Sequence, residues 1–194
     1  MSKIAVVYWS GTGNTEAMAN AVSEGAKGAG AEVTVLAPRD FNAGMMDDFD
    51  AIAFGCPAMG AEVLEEEEFD PMFTSCLEKL SGKKTALFGS YGWGDGEWMR
   101  SWEDDCRAKG AQLACDSVIC CEAPDAEAIG ACRSLGAALA YQKFDSIPPY
   151  GLRHTLSNLK TPPQGQAFSP FPCEKRQRAS TPYKLHTPLL HSSG

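Results

Sequence analysis

The first 140 residues contain no histidine; His154, His186 and His191, the three of the chain, all lie beyond them. A Ser/His/Asp or Cys/His catalytic constellation is thereby excluded from that stretch, and no cluster with metal-ligand spacing is visible in it. No apolar run approaches the ~18 residues that a membrane-spanning helix needs, so no membrane partner is expected. Met1–Tyr8 passes directly into a strand-like run, with too short an apolar stretch for a signal peptide, and a cytoplasmic protein is the expectation. The eight cysteines form no CxxC pair and no zinc-like spacing. The vicinal Cys120-Cys121 suits neither a disulfide nor paired metal ligation. They read as reduced thiols of the core and surface. Basic residues are scarce as well. Residues 1–140 hold 10 Lys and Arg against 23 Asp and Glu, a net −13. Such a surface excludes nucleic acid, whose binding requires neutralised phosphates, and favours basic protein partners.

Of all residues 44% are hydrophobic, enough for a packed core. They fall into strand-like and helix-like segments that alternate along the chain. Strands are predicted over 3–8, 32–36, 50–55, 84–90 and 112–121, the last interrupted near Asp116. Helices are predicted over 14–29, 69–80, 97–109 and 125–140. Lys3–Tyr8 is almost continuously aliphatic, as in a strand buried on both faces. In the first helix Met18, Ala21, Val22, Ala26 and Ala29 recur at helical spacing. This alternation predicts an α/β fold: a doubly wound, five-stranded parallel sheet between two helical layers, in the strand order 2-1-3-4-5. Ligands of such sheets sit beyond the carboxyl ends of strands 1 and 3, where the winding reverses. The loops after Tyr8, Gly55 and Ser90 are therefore the places for chemistry.

Residues 1–140 form one domain on this reading, and 141–194 a different segment. The latter hold 8 of the 12 prolines and 7 Lys and Arg against 2 Asp and Glu. They lack apolar periodicity and read as a disordered or extended basic tail. A fusion, an appended extension, a frameshifted end and a plain disordered tail all fit that composition.

The first loop is Trp9-Ser10-Gly11-Thr12-Gly13-Asn14-Thr15. Two glycines let several N–H groups converge on an anion, the short hydroxyl and amide side chains add donors, and a helix starts just behind. The loop contains no Lys or Arg, and it is not GxxxxGK[ST], which argues against a nucleoside triphosphate. A single terminal phosphate monoester fits neutral dipoles better. An ordinary Ser/Thr/Gly helix cap is the bland alternative. The second loop is Cys56-Pro57-Ala58-Met59-Gly60-Ala61-Glu62, and the third runs from Ser90-Tyr91-Gly92-Trp93-Gly94 to Trp98.

Ser-Gly-Thr-Gly-Asn-Thr directly after a first strand resembles the FMN phosphate loop of flavodoxins, and both later loops are similar to those of short-chain bacterial flavodoxins. The resemblance covers residues 1–140. It implies a low-potential, one-electron carrier holding FMN non-covalently, a monomer without a substrate turnover site of its own. It implies that Trp9 to Thr15 hold the phosphate. It implies that Pro57, Ala58, Met59, Gly60, Ala61 and Glu62, together with Ser90, Tyr91, Gly92, Trp93 and Gly94, surround the ring. Met59 would pack on the inner face and Trp93 on the outer, a polarizable thioether and an aromatic partner for a flat ring. Gly60 would tune the redox step by turning its peptide carbonyl toward a protonated flavin N5, a motion that glycine tolerates. Glu62 either accepts from flavin N3–H or is a solvated member of the acidic run 62–70. Ile119–Glu122 would border the pyrimidine edge, with Cys120-Cys121 where a polar pair is commoner.

The carboxylates Glu65 to Glu68, Asp70, Asp95, Glu97 and Glu103 to Asp105 are partly a solvated helix face. They also disfavour a second negative charge on a reduced flavin and steer basic redox proteins, reductases and oxidoreductases, onto this side. The alternative function is an NAD(P)H-dependent FMN or quinone reductase of the same fold, whose loops are usually longer. A phospho-receiver domain shares the strand order but needs carboxylates where this chain has Tyr8-Trp9-Ser10 and Gly55-Cys56.

Overall fold

The computed structural model describes residues 1–141. The predicted tail lies, from residue 142 on, outside the described residues. Strands β1 (Lys3–Tyr8), β2 (Glu32–Leu36), β3 (Ala51–Gly55), β4 (Lys84–Tyr91), β5 (Gln112–Leu113) and β6 (Val118–Cys121) alternate with helices α1 (Asn14–Gly28), α2 (Phe69–Cys76), α3 (Glu97–Ala108) and α4 (Ala126–Ala140). All strand pairings are parallel, and the order is β2-β1-β3-β4, with β5 and β6 side by side in sequence against β4. The predicted order is the observed one. The fifth strand is interrupted as its sequence indicated: Thr85 pairs with Leu113, but Phe88 resumes with Val118.

The central strands bury both faces, and alternate residues serve different layers. Ala5, Val7, Ile52, Phe54 and Leu87 face α2 and α3, where Phe69, Phe73, Trp98 and Trp102 pack. Ile4, Val6, Ala51, Ala53, Ala86 and Phe88 face α1 and α4, which contribute Met18, Val22, Ala26, Leu135 and Leu139. In the second layer α1 and α4 cross at glycine. A Cβ on Gly25 would lie 1.9 Å from Arg133 O, and one on Gly136 would lie 1.9 Å from Val22 O. Backbone meets backbone there, and no side chain fits between.

Three details differ from the predicted elements. Helix α2 ends at Cys76, and its last predicted turn tightens into a 3-10 turn over Leu77–Lys79. The β2–β3 connection contains two further 3-10 turns, Pro38–Asp40 and Ala43–Asp48, the second capped by Asn42 Oδ1 accepting from Gly44 N at 2.8 Å. These short turns have no periodicity to read; they place Phe41 and Met46 in the core. No helix among the described residues is long and apolar enough to cross a membrane.

Candidate functional site

The three loops singled out in the sequence meet at the carboxyl ends of β1, β3 and β4. Trp9 N donates to Gly55 O at 2.9 Å, which carries the β1–β3 ladder one residue further. The chain then turns into α1. Gly13 holds φ +90°, and Ser10 Oγ accepts from Gly13 N at 3.1 Å and Glu16 N at 3.3 Å. Those two bonds saturate the oxygen lone pairs of Ser10 and leave its O–H to donate. The N–H groups of Gly11, Thr12, Asn14 and Thr15 have no acceptor among the described residues. A 15-residue helix therefore begins on unpaired donors, where its dipole also favours an anion.

Thr15 and Ser90 share one hydroxyl–hydroxyl bond, in which the accepting hydroxyl keeps its own proton to donate. Their oxygens lie 3.1 Å apart and hydrogen-bond one another, both residues being buried. This bond ties the start of α1 to the end of β4. Ser90 still lines the cleft; Thr15 lies beneath it.

The second loop folds back as a small hairpin. Met59 N donates to Val63 O at 2.8 Å and Val63 N to Met59 O at 3.0 Å, so Gly60, Ala61 and Glu62 form its tip. Gly60 has φ +47°, with no atom within 4 Å of where a Cβ would stand. Glu62 also has positive φ, +56°, an uncommon conformation for a residue with a side chain. Its carboxylate reaches the third loop: Oε1 accepts from Gly96 N at 3.1 Å and Glu97 N at 3.2 Å. Neither a solvated position nor a purely ligand-directed one describes Glu62. Its Oε2 has no donor among the described residues.

A neighbouring carboxylate fixes the other end of this loop. Glu65 is buried, and its oxygens accept from Glu67 N, Glu68 N and Phe69 N at 2.8–2.9 Å, closing the start of α2. Burial pushes its carboxyl up, but the three N–H groups outweigh that and hold it below the ordinary carboxylate range. Glu65 N in turn donates to Cys56 Sγ at 3.3 Å. Burial, the largest cause, pushes the Cys56 thiol up to about 12, which keeps it protonated and unreactive.

In the third loop Tyr91 packs against Trp98, ring centroids 5.6 Å apart, and Trp98 Nε1 donates to Cys56 O at 3.4 Å. Trp93 stands out at 63% exposure. Gly94 and Gly96 have φ +90° and +87°.

Together the loops border a cleft of about 540 Å³ lined by Trp9, Gly11, Thr12, Asn14, Pro57, Ala58, Met59, Ser90, Tyr91, Gly92, Glu122 and Ala123. Gly60, Ala61, Glu62, Trp93 and Gly94 belong to the same loops without lining it; Ser10 and Gly13 shape the turn behind it. Ala123 was not singled out in the sequence. The topological rule that points to strand ends applies to β6 as well: Glu122 N donates to Tyr91 O at 2.7 Å, bringing Glu122 and Ala123 to the rim. A larger hollow of about 1030 Å³ lies at the opposite, amino-terminal end of the sheet, between Ser2, Asp50, Lys84 and Tyr141. It has no helix start and only Tyr141 as an aromatic lining residue, and size alone does not make it the site. The smaller cleft has a helix start and aromatic walls, at the switch point of the sheet.

The sequence model of the flavodoxin family matches residues 6–136. The flavodoxin of Megasphaera elsdenii is 46% identical over 137 residues, 71% of this chain and 98% of that protein. The flavodoxin of Clostridium beijerinckii is 44% identical over 135 residues, 70% of this chain and 97% of that one. The solution structure of two-electron reduced Megasphaera elsdenii flavodoxin superposes with a TM-score of 0.65 at 47% identity, over the same 71% and 98%. A doubly wound sheet with an anion-ready helix start and an apolar cleft defines a nucleotide-binding α/β protein, and within that class the chain belongs to the flavodoxin family. It is an FMN-dependent electron carrier that works with redox partner proteins.

Proposed function

We propose that the protein is a low-potential, one-electron shuttle whose FMN lies in the cleft at the carboxyl ends of β1, β3 and β4. The observation that supports this most is the set of four unpaired N–H groups at the start of α1, in a loop without Lys or Arg, beside walls of Trp9, Met59 and Tyr91. The fit is chemical. Neutral dipoles suit one phosphate monoester, and the apolar walls suit a flat ring.

In this reading Gly11, Thr12, Asn14 and Thr15 donate backbone N–H groups to the phosphate, and Ser10, Thr12 and Asn14 add side-chain donors. Trp9, Pro57, Ala58, Met59, Tyr91, Gly92, Trp93 and Gly94 shelter the ring from water. Glu62 Oε2 offers an acceptor for the ring N3–H. Gly60 and Ala61 supply the peptide that turns toward N5. Bound FMN supplies the chemistry, storing and releasing single electrons with a proton at N5. The protein's own residues bind, orient and exclude solvent, without a turnover site for a second substrate. The domain reading, 1–140 for the flavin domain, and the docking of basic partners on the acidic side of loops two and three belong to the same proposal. So do a monomeric state and a cytoplasmic setting, which suits its many thiols.

Stepwise anaerobic reduction of the purified protein, followed in the visible, tests the reading. A yellow flavin that reaches a distinct one-electron form before bleaching is expected. A colourless protein that takes up no FMN overturns it, and rapid NADPH oxidation by the protein alone moves the function to the reductase class.

A further inference from the structure

We propose that Glu62 is a positioning residue: its carboxylate latches the second loop onto the first turn of α3, so that the two loops flanking the cofactor cleft behave as one unit. This rests on the cleft being the FMN site, but the latch itself is a property of the polypeptide. Helix α3 has no side-chain cap of its own, because its N-cap is Gly96. A helix start without a cap leaves N–H groups unpaired. Those of Gly96 and Glu97 are taken instead by Glu62 Oε1, 34 and 35 residues earlier in the chain, at 3.1 and 3.2 Å. The carboxylate is a charge-assisted acceptor at the positive end of a helix.

The seat is shaped for it. A Cβ on Gly94 would come within 2.4 Å of the Glu62 carboxylate, and Gly94 itself lies at φ +90°. The contact also accounts for the backbone of Glu62. A non-glycine residue at φ +56° is held there only where its surroundings over-determine it, and the two N–H bonds on one side with the Met59–Val63 pair on the other do that. Gly60 and Ala61 are the remaining residues of that hairpin tip, so Glu62 anchors the end of the segment in which the Gly60 peptide turns. Asp95 and Glu97 crowd the same corner, with carboxylate oxygens within 4.8 Å of Glu62. That like-charge cost is offset by Arg100, whose guanidinium pairs with Asp95 Oδ1 at 2.7 Å and Asp95 O at 2.9 Å.

Two variants separate the latch from backbone strain. Glu62→Gln keeps an oxygen acceptor and the strained backbone. Glu62→Gly removes the acceptor while suiting φ +56° better than any other residue. Amide hydrogen exchange of the apoprotein is read at Gly96 and Glu97, and FMN binding is then titrated. In Glu62→Gly, exchange at both amides is expected to rise about ten-fold or more, and the Kd for FMN to rise by a similar factor. Glu62→Gln should restore most of both. Unchanged exchange in Glu62→Gly overturns the proposal, as does faster exchange with FMN affinity unaltered. If the unaltered protein binds no FMN, the functional reading fails; the exchange measurement on the apoprotein still decides the latch.

Discussion

The two helical layers of this sheet solve packing in opposite ways. On the α2/α3 side the space is filled by rings: Phe69 and Phe73 each meet Trp102 edge-on at 5.4 Å, and Phe54 meets Phe73 edge-on at 5.3 Å. On the α1/α4 side the space is removed, because glycine at positions 25 and 136 brings the helix backbones together over a floor rich in alanine. Filling one layer needs large side chains in fixed orientations, and closing the helix crossing in the other needs their absence. The cofactor cleft sits at the end of the sheet where both layers stop, with its anion-ready turn on the α1/α4 side and its carboxylate-anchored loops on the α2/α3 side.

Deletion should therefore hurt most on the aromatic side. Trp102→Ala is expected to lose about 3–5 kcal/mol of stability, seen as a fall in the urea midpoint; a loss below that of an ordinary Leu→Ala change would sink the view of Trp102 as the keystone of that layer. Addition should hurt on the other side. Gly136→Ala forces a Cβ to 1.9 Å from Val22 O and is expected to cost about 1–3 kcal/mol in the same titration, where a surface Gly→Ala in a helix stabilises. An unchanged or higher midpoint would mean that the two helices separate cheaply.

Glu65 adds a charge to the aromatic side, and its effect carries a pH signature. Its native carboxyl is held below the unfolded value of about 4.3. The stabilisation is full above that pH and disappears as pH falls through the lower native value. Glu65→Gln should cost about 1–2 kcal/mol at neutral pH and converge with the unaltered protein in acid. Parallel stability curves across that range would show that the three N–H bonds contribute nothing specific.

At the cleft, Gly60→Ala has room for its methyl group and should fold at a cost of about 1 kcal/mol for the left-handed backbone. Its expected effect is a lower maximum yield of the one-electron form during reduction; an unaltered yield removes Gly60 from redox tuning. The smallest effect concerns the carboxylates around the second and third loops. Electron transfer from a basic reductase should slow several-fold between low and physiological salt, and a flat profile would reject electrostatic steering.

Much of this was legible in one dimension. The aliphatic run of β1, the helix period of α1 and the glycine-rich turn between them identify a phosphate-type loop without reference to anything distant. The break in the fifth strand near Asp116 was equally readable. What the sequence leaves unseen has one cause: the partner lies far away in sequence. The hydrogen bond between Thr15 and Ser90, 75 residues on and 3.1 Å away, cannot be seen in either loop alone. The bonds from Gly96 N and Glu97 N to Glu62 Oε1 are equally invisible in the second loop alone. The two 3-10 turns before β3 are too short to carry a period, and Ala123 enters the cleft only through the pairing of β6 with β4.

By itself the sequence determined the alternation of strands and helices, the strand order that such alternation permits, and the chemistry of three loops, because local propensity and periodicity are properties of neighbouring residues. Only the tertiary structure decided which hydroxyls and carboxylates remain open to a ligand and which are spent on the protein itself, because a hydrogen-bond partner is chosen by distance in space. Gly25 and Gly136, in helices α1 and α4, are the places where those two helices touch backbone to backbone.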